Sequence, residues 1–195
     1  MNQDGDHGMK LRLATAGDAP RLKALMDAAI AELLKPYLPP QGVRASFDIM
    51  GLDTQLIADG CYFAVESAGE IVGCGGWSRR DRMHTGSGDH ADDARLLDPA
   101  TEPARVRAMF VRADWTRRGL GRRILEECEA AADREGFTEL VLNATLPGLP
   151  LYSAYGFEPT EEIVVTLPDG VEIECVAMRK TIERRPSDGN RPRGG

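Results

Sequence analysis

The chain has 195 residues, of which 42% are hydrophobic and 28% charged, the balance of one ordinary globular domain with a single buried core. No apolar run approaches the ~20 residues that span a bilayer, and the start MNQDGDHGMK is too polar and acidic for a secretion signal, so a cytoplasmic location is the default expectation. The net charge of −7 speaks against nucleic acid and membrane as partners and suits cationic small molecules or basic peptides.

Residues 1–9 and 183–195 lack apolar anchors and read as a flexible leader and a disordered tail around one domain at 10–182. Residues 10–14 (KLRLA) alternate as a half-buried strand does. Asp18 is placed to cap a helix, with Pro20 tolerated in its first turn, and Leu22, Leu25, Met26, Ala29 and Leu33 recur at helical spacing until Pro36. PYLPPQG reads as a connector and 47–58 as a second helix with Ile49, Met50, Leu52 and Ile57 as apolar positions. CYFAVESAGEIVGCGGWS is two strands joined at Ser67-Ala68-Gly69. Residues 79–104 are polar and rich in Asp, Gly and His, a loop long enough to be functional. A strand at 105–111, a glycine-punctuated turn, a helix, and a strand at 139–144 follow. After a Pro/Gly bend come the short helical segment LYSAYGF and strands at 163–167 and 171–178, hinged on Pro168-Asp169-Gly170. The order β-α-α-β-β-β-α-β-α-β-β predicts an α/β (α+β) fold, a single domain with a mixed sheet flanked by helices.

Cys61, Cys74, Cys128 and Cys175 are scattered, with no CxxC pair, and read as reduced core residues rather than zinc ligands or disulfides. His84, Asp89, His90, Asp92 and Asp93 match no metal-ligand spacing, so no metal is expected. The informative stretch is RVRAMFVRADWTRRGLGRRILEECEAAADREGF. A strand passes through two glycines into a helix whose apolar face is Leu120, Ile124, Leu125, Cys128 and Ala131, with Gly136 at the expected left-handed end. The start of such a helix carries unpaired N–H groups and a positive dipole end, which favour a phosphate, and Arg117, Arg118, Arg122 and Arg123 add charge. GxG before a helix is equally the mark of an ordinary turn. A dinucleotide site is disfavoured because Ile124 stands where a third glycine would fall, and no P-loop lysine is present. Downstream, LYSAYGFEP sets Leu151, Tyr155 and Phe157 as core positions and Tyr152 beside a Pro-Gly-Leu-Pro bend, where a hydroxyl could reach a cleft.

These two segments resemble the motifs of the GCN5-related N-acetyltransferase (GNAT) superfamily. MFVRADWTRRGLGRRIL is similar to its pyrophosphate-binding pattern (Gln or Arg)-x-x-Gly-x-(Gly or Ala), and LYSAYGF to its (Phe/Leu)-Tyr-x-x-x-Gly-Phe. The resemblance extends over about 10–182 and implies a mostly antiparallel sheet and acetyl-CoA as co-substrate. It further implies that Met109, Phe110 and Val111 line the pantetheine arm from a strand that splays from its neighbour. Arg117, Arg118, Gly119, Leu120, Gly121 and Arg122 would hold the pyrophosphate, mostly through their amides, and Tyr152 would protonate the departing thiolate. The sequence departs from the pattern at Thr116, where Gln or Arg is usual, at Thr145 for asparagine and at Gly148 for alanine; Asn143 is a candidate substitute on the pantetheine side.

Direct attack by an amine needs a neutral nucleophile, a polarised carbonyl and a proton for sulfur. Glu102, Asp114, His84 and His90 are candidates for the base by position alone. The expected activity is N-acetylation of a small-molecule or peptide amine, with a non-catalytic acyl-CoA-binding module as the alternative; a homodimer is left open. The 79–104 loop is expected to border the acceptor as a lid that supplies negative charge.

Overall fold

The computed structural model describes residues 8–82, 95–166 and 170–183. Residues 1–7 of the expected leader, 184–195 of the expected tail, the lid segment around Thr85 to Asp93 with His84 and His90, and most of the Pro168-Asp169-Gly170 hinge lie outside the described residues, whereas Met9 already belongs to the first strand. Those that are described form one seven-stranded sheet in the order β1-β2-β3-β4-β5-β7-β6. The strands are β1 (Met9–Leu13), β2 (Tyr62–Ser67), β3 (Glu70–Ser78), β4 (Ala104–Val111), β5 (Glu139–Thr145), β6 (Glu158–Thr166) and β7 (Glu172–Thr181). Every pairing is antiparallel except that of β4 with β5.

Helices cover both faces. α1 (Ala19–Leu33) buries Leu22, Leu25, Met26, Ala29 and Ile30 against Tyr62, Ala64, Ile71, Cys74 and Phe110, joined by α2 (Pro40–Ile49) and α3 (Thr54–Ala58). On the opposite face α4 (Leu120–Arg134) packs Ile124, Leu125 and Cys128 on Phe63, Val65, Val72 and Leu140, with α5 (Leu149–Tyr155) beside it. Residues 62–65 thus feed alternate cores, which is why β2 reads as a continuous apolar run. Each fully buried Leu or Ile contributes about 1.5–3 kcal/mol.

Two irregularities of β4 position the site. Its ladder with β3 pairs Arg107 with Gly76 and Phe110 with Cys74, so Ala108 and Met109 together oppose Gly75. This is a β-bulge, and it inverts the facing of the strand: Val106 points to the α4 core, whereas Ala108 and Phe110 point to the α1 core. Ala108 takes the left-handed φ of 52°, and the buried Tyr62 hydroxyl donates to its carbonyl at 2.8 Å. Gly75 is required because a Cβ there would overlap the Met109 thioether. The parallel ladder to β5 is confined to Ala104–Leu140 and Arg105–Val141, beyond which the two strands part.

Several expectations need correction. The helix expected at 47–58 is instead two: α2 begins inside the expected connector, with Pro40 in its first turn, and α3 begins after Asp53, whose carboxylate accepts the Gln55 N–H at 3.0 Å. Asp18 does not use its carboxylate to cap α1; it accepts from the Thr15 N–H and hydroxyl and from Arg12, each at 2.8 Å. β6 begins five residues earlier than expected, at Glu158, because an edge strand tolerates Pro159 and an unbroken run of polar residues. The flanks of the 79–104 segment are also more ordered than a loop: Arg80 bridges Leu96, and Leu97 is buried. All four cysteines are free and buried. Among the described residues no helix is long and apolar enough to cross a membrane.

Candidate active site

The parting of β4 from β5 opens a cleft of ≈ 580 Å³, the size of a small-ligand site. One wall is Met109, Phe110 and Val111 of β4, another is Ala29 and Ile30 of α1, and the floor is the turn at 115–122. That turn contains two left-handed residues, Arg117 (φ 63°) and Gly119 (φ 82°). Successive residues of this kind point their N–H groups into one concavity, a nest for anions. Gly119 is the N-cap of α4 and offers no side chain to bond the first-turn amides, and no acidic residue stands in that turn. Arg117 has no side-chain hydrogen bond or ion pair among the described residues.

The two glycines of the turn do different work. A Cβ on Gly119 would meet nothing within 4 Å, so glycine is needed there for its φ. At Gly121 a Cβ would sit 2.7 Å from Leu151 Cδ2, so this glycine lets α4 approach α5. The arginines also divide. Arg117 and Arg122 line the cleft, the latter bonded to Glu126 at 3.1 Å. The Arg118 guanidinium instead lies over the Trp115 ring at 4.7 Å and is not part of the lining.

Tyr152 is set by the end of its own helix. The Phe157 N–H bonds the Tyr152 carbonyl at 3.0 Å, the Gly156 N–H bonds that of Ser153 at 3.1 Å, and Gly156 has φ 103°. This is a Schellman cap, whose companion apolar contact is the edge-to-face pair Tyr152–Phe157 at 5.9 Å. The spacing Tyr-x-x-x-Gly-Phe is therefore a helix terminator that fixes the tyrosine. The ring lies close over Gly148, where a Cβ would come within 2.8 Å of Cε2, so the alanine expected at that position would press on it. Burial raises the phenol above its ordinary pKa, and the hydroxyl stays protonated at neutral pH.

Tyr152 also lines a second cavity, of ≈ 130 Å³, on the far side of the β4–β5 parting. Its walls come from Met50 and Gly51 between α2 and α3, from Val106, Arg107 and Met109 of β4, from Leu142, Asn143 and Thr145 of β5, and from the β6–β7 hairpin. Cleft and cavity share Met50, Met109, Phe110, Thr145 and Tyr152. Asn143, expected on the cofactor side, borders the second cavity and not the cleft. Burial pushes the Cys175 thiol in this cavity up to about 11, which keeps it protonated.

The candidate bases within the described residues stand apart from both spaces. Glu102 is bonded by Arg95 at 2.6 and 2.8 Å, which holds its carboxyl down at about 2, and Arg112 likewise lowers that of Asp114. Neither lines the cleft or the cavity. Missed in the sequence was Arg107, which is only 6% exposed, with Nη1 2.9 Å from Asp53 Oδ2. It faces away from Val106, and that face of the sheet is also covered by helices, which nothing local in RVRAMFV signals.

Comparison with known proteins follows the same lines. No curated protein matches the sequence. Among solved structures, a GCN5-related N-acetyltransferase from Rhodopseudomonas palustris superposes with a TM-score of 0.68 at 17% identity, covering 93% of this chain and 99% of its own. YncA from Salmonella typhimurium, solved with its cofactor acetyl-CoA, gives 0.61 at 17% identity over 92% and 96%. The ribosomal-protein-S18-alanine N-acetyltransferase of Escherichia coli gives 0.56 at 15% over 92% and 97%. At these identities the likeness is one of fold. The family itself is shown by the sequence model for the acetyltransferase (GNAT) domain, which matches residues 58–159, more than half of the 195, and runs from α3 through the turn and Tyr152 to the start of β6. The chain therefore belongs to the GNAT family of acetyltransferases.

Proposed function

We propose that the chain transfers the acetyl group of acetyl-CoA to a primary amine, with CoA in the cleft and the amine in the second cavity. The observation that carries this reading is the junction: the two spaces adjoin and share Met50, Met109, Phe110, Thr145 and Tyr152. The pyrophosphate would take the first-turn amides of α4 together with the Arg117 and Arg122 side chains, as charge-assisted bonds. The match of family and the cleft's dimensions support acetyl-CoA for that place.

The amine attacks the thioester carbon, a C–N bond forms and the C–S bond breaks. Arg112 spends its N–H on Val72, so by alternation the Val111 N–H turns to the parted side, where it meets the thioester oxygen as charge develops on it. Tyr152 gives its proton to the departing sulfur. Arg107, the charged side chain of the cavity lining, disfavours the ammonium form of the acceptor, whose proton leaves to water; the phenolate left on Tyr152 is reprotonated from water. A panel of amines with acetyl-CoA, followed by free-thiol release and product mass, tests the reading. Amide product with stoichiometric thiol is the expected result; tight CoA binding with no product from any amine would contradict it and favour a non-catalytic binding module.

A further inference from the structure

Acetyl transfer does not of itself call for a cation in the acceptor cavity, yet one is built there. Among the described lining residues Arg107 is the one side chain charged at neutral pH, and no carboxylate joins it. Its counter-ion, Asp53, lies outside the lining: Oδ2 meets Arg107 at 2.9 Å while Oδ1 caps α3. The cavity thus meets the cation and not the anion behind it. Burial and the like charge of Arg82 lower the Arg107 pKa despite Asp53, so a further negative charge beside the guanidinium is favoured. An anion that enters gains from both. A guanidinium presents a planar fork of donors that matches a carboxylate. The ≈ 130 Å³ of space is close to the ~150 Å³ that holds one benzene-sized molecule, which suits a small metabolite rather than a folded partner.

We infer that the acceptor is a small amine that carries a carboxylate, an amino acid or a close relative, whose carboxylate is held by Arg107 while its amine faces the junction at Tyr152. This rests on the acetyl-transfer reading for the amine and on Arg107 alone for the carboxylate. It also reverses the preference for cationic acceptors that the net charge of −7 suggests, because the local charge of the cavity differs in sign from the whole.

The test uses matched pairs: leucine with isoamylamine, methionine with 3-(methylthio)propylamine, phenylalanine with phenethylamine, and phosphoethanolamine against β-alanine. Each is titrated by calorimetry into the CoA-loaded protein and assayed with acetyl-CoA. In the native protein the carboxylated members should bind and turn over roughly 10- to 100-fold better, the worth of charge-assisted hydrogen bonds. Arg107→Gln should erase that margin through the carboxylated members alone. The double variant Asp53→Asn/Arg107→Gln, which leaves no lone buried charge, should do the same if the single variant folds poorly. Equal or better binding of the decarboxylated amines, or preference for the phosphorylated one, overturns the inference. Carboxylate binding that depends on Arg107 without any acetylation would overturn the acetyl-transfer reading and leave the subsite standing; equal acetylation of both members would do the reverse.

Discussion

The cleft beside the 115–122 turn and the cavity beside Arg107 share Tyr152, but they are held open by different means. The floor of the cleft is set by main chain, the left-handed turn and the free end of α4 that follow the bulged β4 in one stretch, while α1 and the 145–154 segment complete its walls. The cavity is made of side chains from the α2–α3 connection, β4, β5, β6 and β7, and its charge comes from a residue pair 54 positions apart in sequence. A main-chain site tolerates most substitutions except at its few special backbone positions, whereas a side-chain site can be respecified one residue at a time. On the proposed assignment of donor to cleft and acceptor to cavity, such a division lets the acceptor change while the acetyl donor does not.

The largest expected effect falls on the cavity. Asp53→Asn keeps the cap of α3, since asparagine also accepts there, but leaves the Arg107 charge buried without its partner. Loss of one member of a buried pair costs about 3–5 kcal/mol, to be read by urea unfolding. In the protein that remains folded, CoA affinity should stay within about twofold, because the pair does not touch the cleft. A parallel loss of CoA affinity would mean that the two spaces are not independent.

Next in size is the effect on the turn. Gly119→Val forces a β-branched residue to φ 82°, where only glycine is at ease, and should turn the first amides of α4 away from the nest. Loss of charge-assisted bonds worth about 1.5–3 kcal/mol each predicts a fall in CoA affinity of roughly 10²-fold by calorimetry, with helix content by circular dichroism unchanged. Gly121 is a less useful probe, since any side chain there meets Leu151 and disturbs packing as well as binding.

The smallest effect belongs to the junction. Gly148→Ala brings a Cβ to within 2.8 Å of the Tyr152 ring, closer than a real contact allows, so the ring must shift. Misplacement by 1 Å can cost 10²-fold, so a loss of about three- to tenfold in kcat is expected, with CoA affinity unaltered. Unchanged kcat would show that the ring position is not critical.

The same division explains what the sequence disclosed. Gly119, Gly136 and Gly156 all take left-handed φ values at helix ends, and glycine at such places is a local code. The turn, α4 and the Tyr152 cap were legible for that reason, and so were the strands whose alternation is unbroken. The α2–α3 break was not, because apolar residues at 47–58 fit one helix as well as two and the decision rests on Pro40 and the Asp53 cap. Arg107 was hidden because both faces of β4 are covered, so a charged residue on the face opposite Val106 is buried as well, and the bulge at Ala108 then shifts the facing of the rest of the strand. Asn143, expected beside the pantetheine arm, borders the second cavity, a placement that its position on a strand at the parting does not disclose.

The central claim is that donor and acceptor meet at Tyr152, and Tyr152→Phe examines it most directly. No hydrogen bond contributes to the shifted pKa of this phenol, so removal of its oxygen should leave the fold and the cleft intact. With the best acceptor from the amine panel, kcat should fall by roughly 10²-fold, as for loss of a general acid, while the Kd for CoA stays within about twofold. Full activity in the variant, or an equal loss of CoA affinity and rate, would contradict the account.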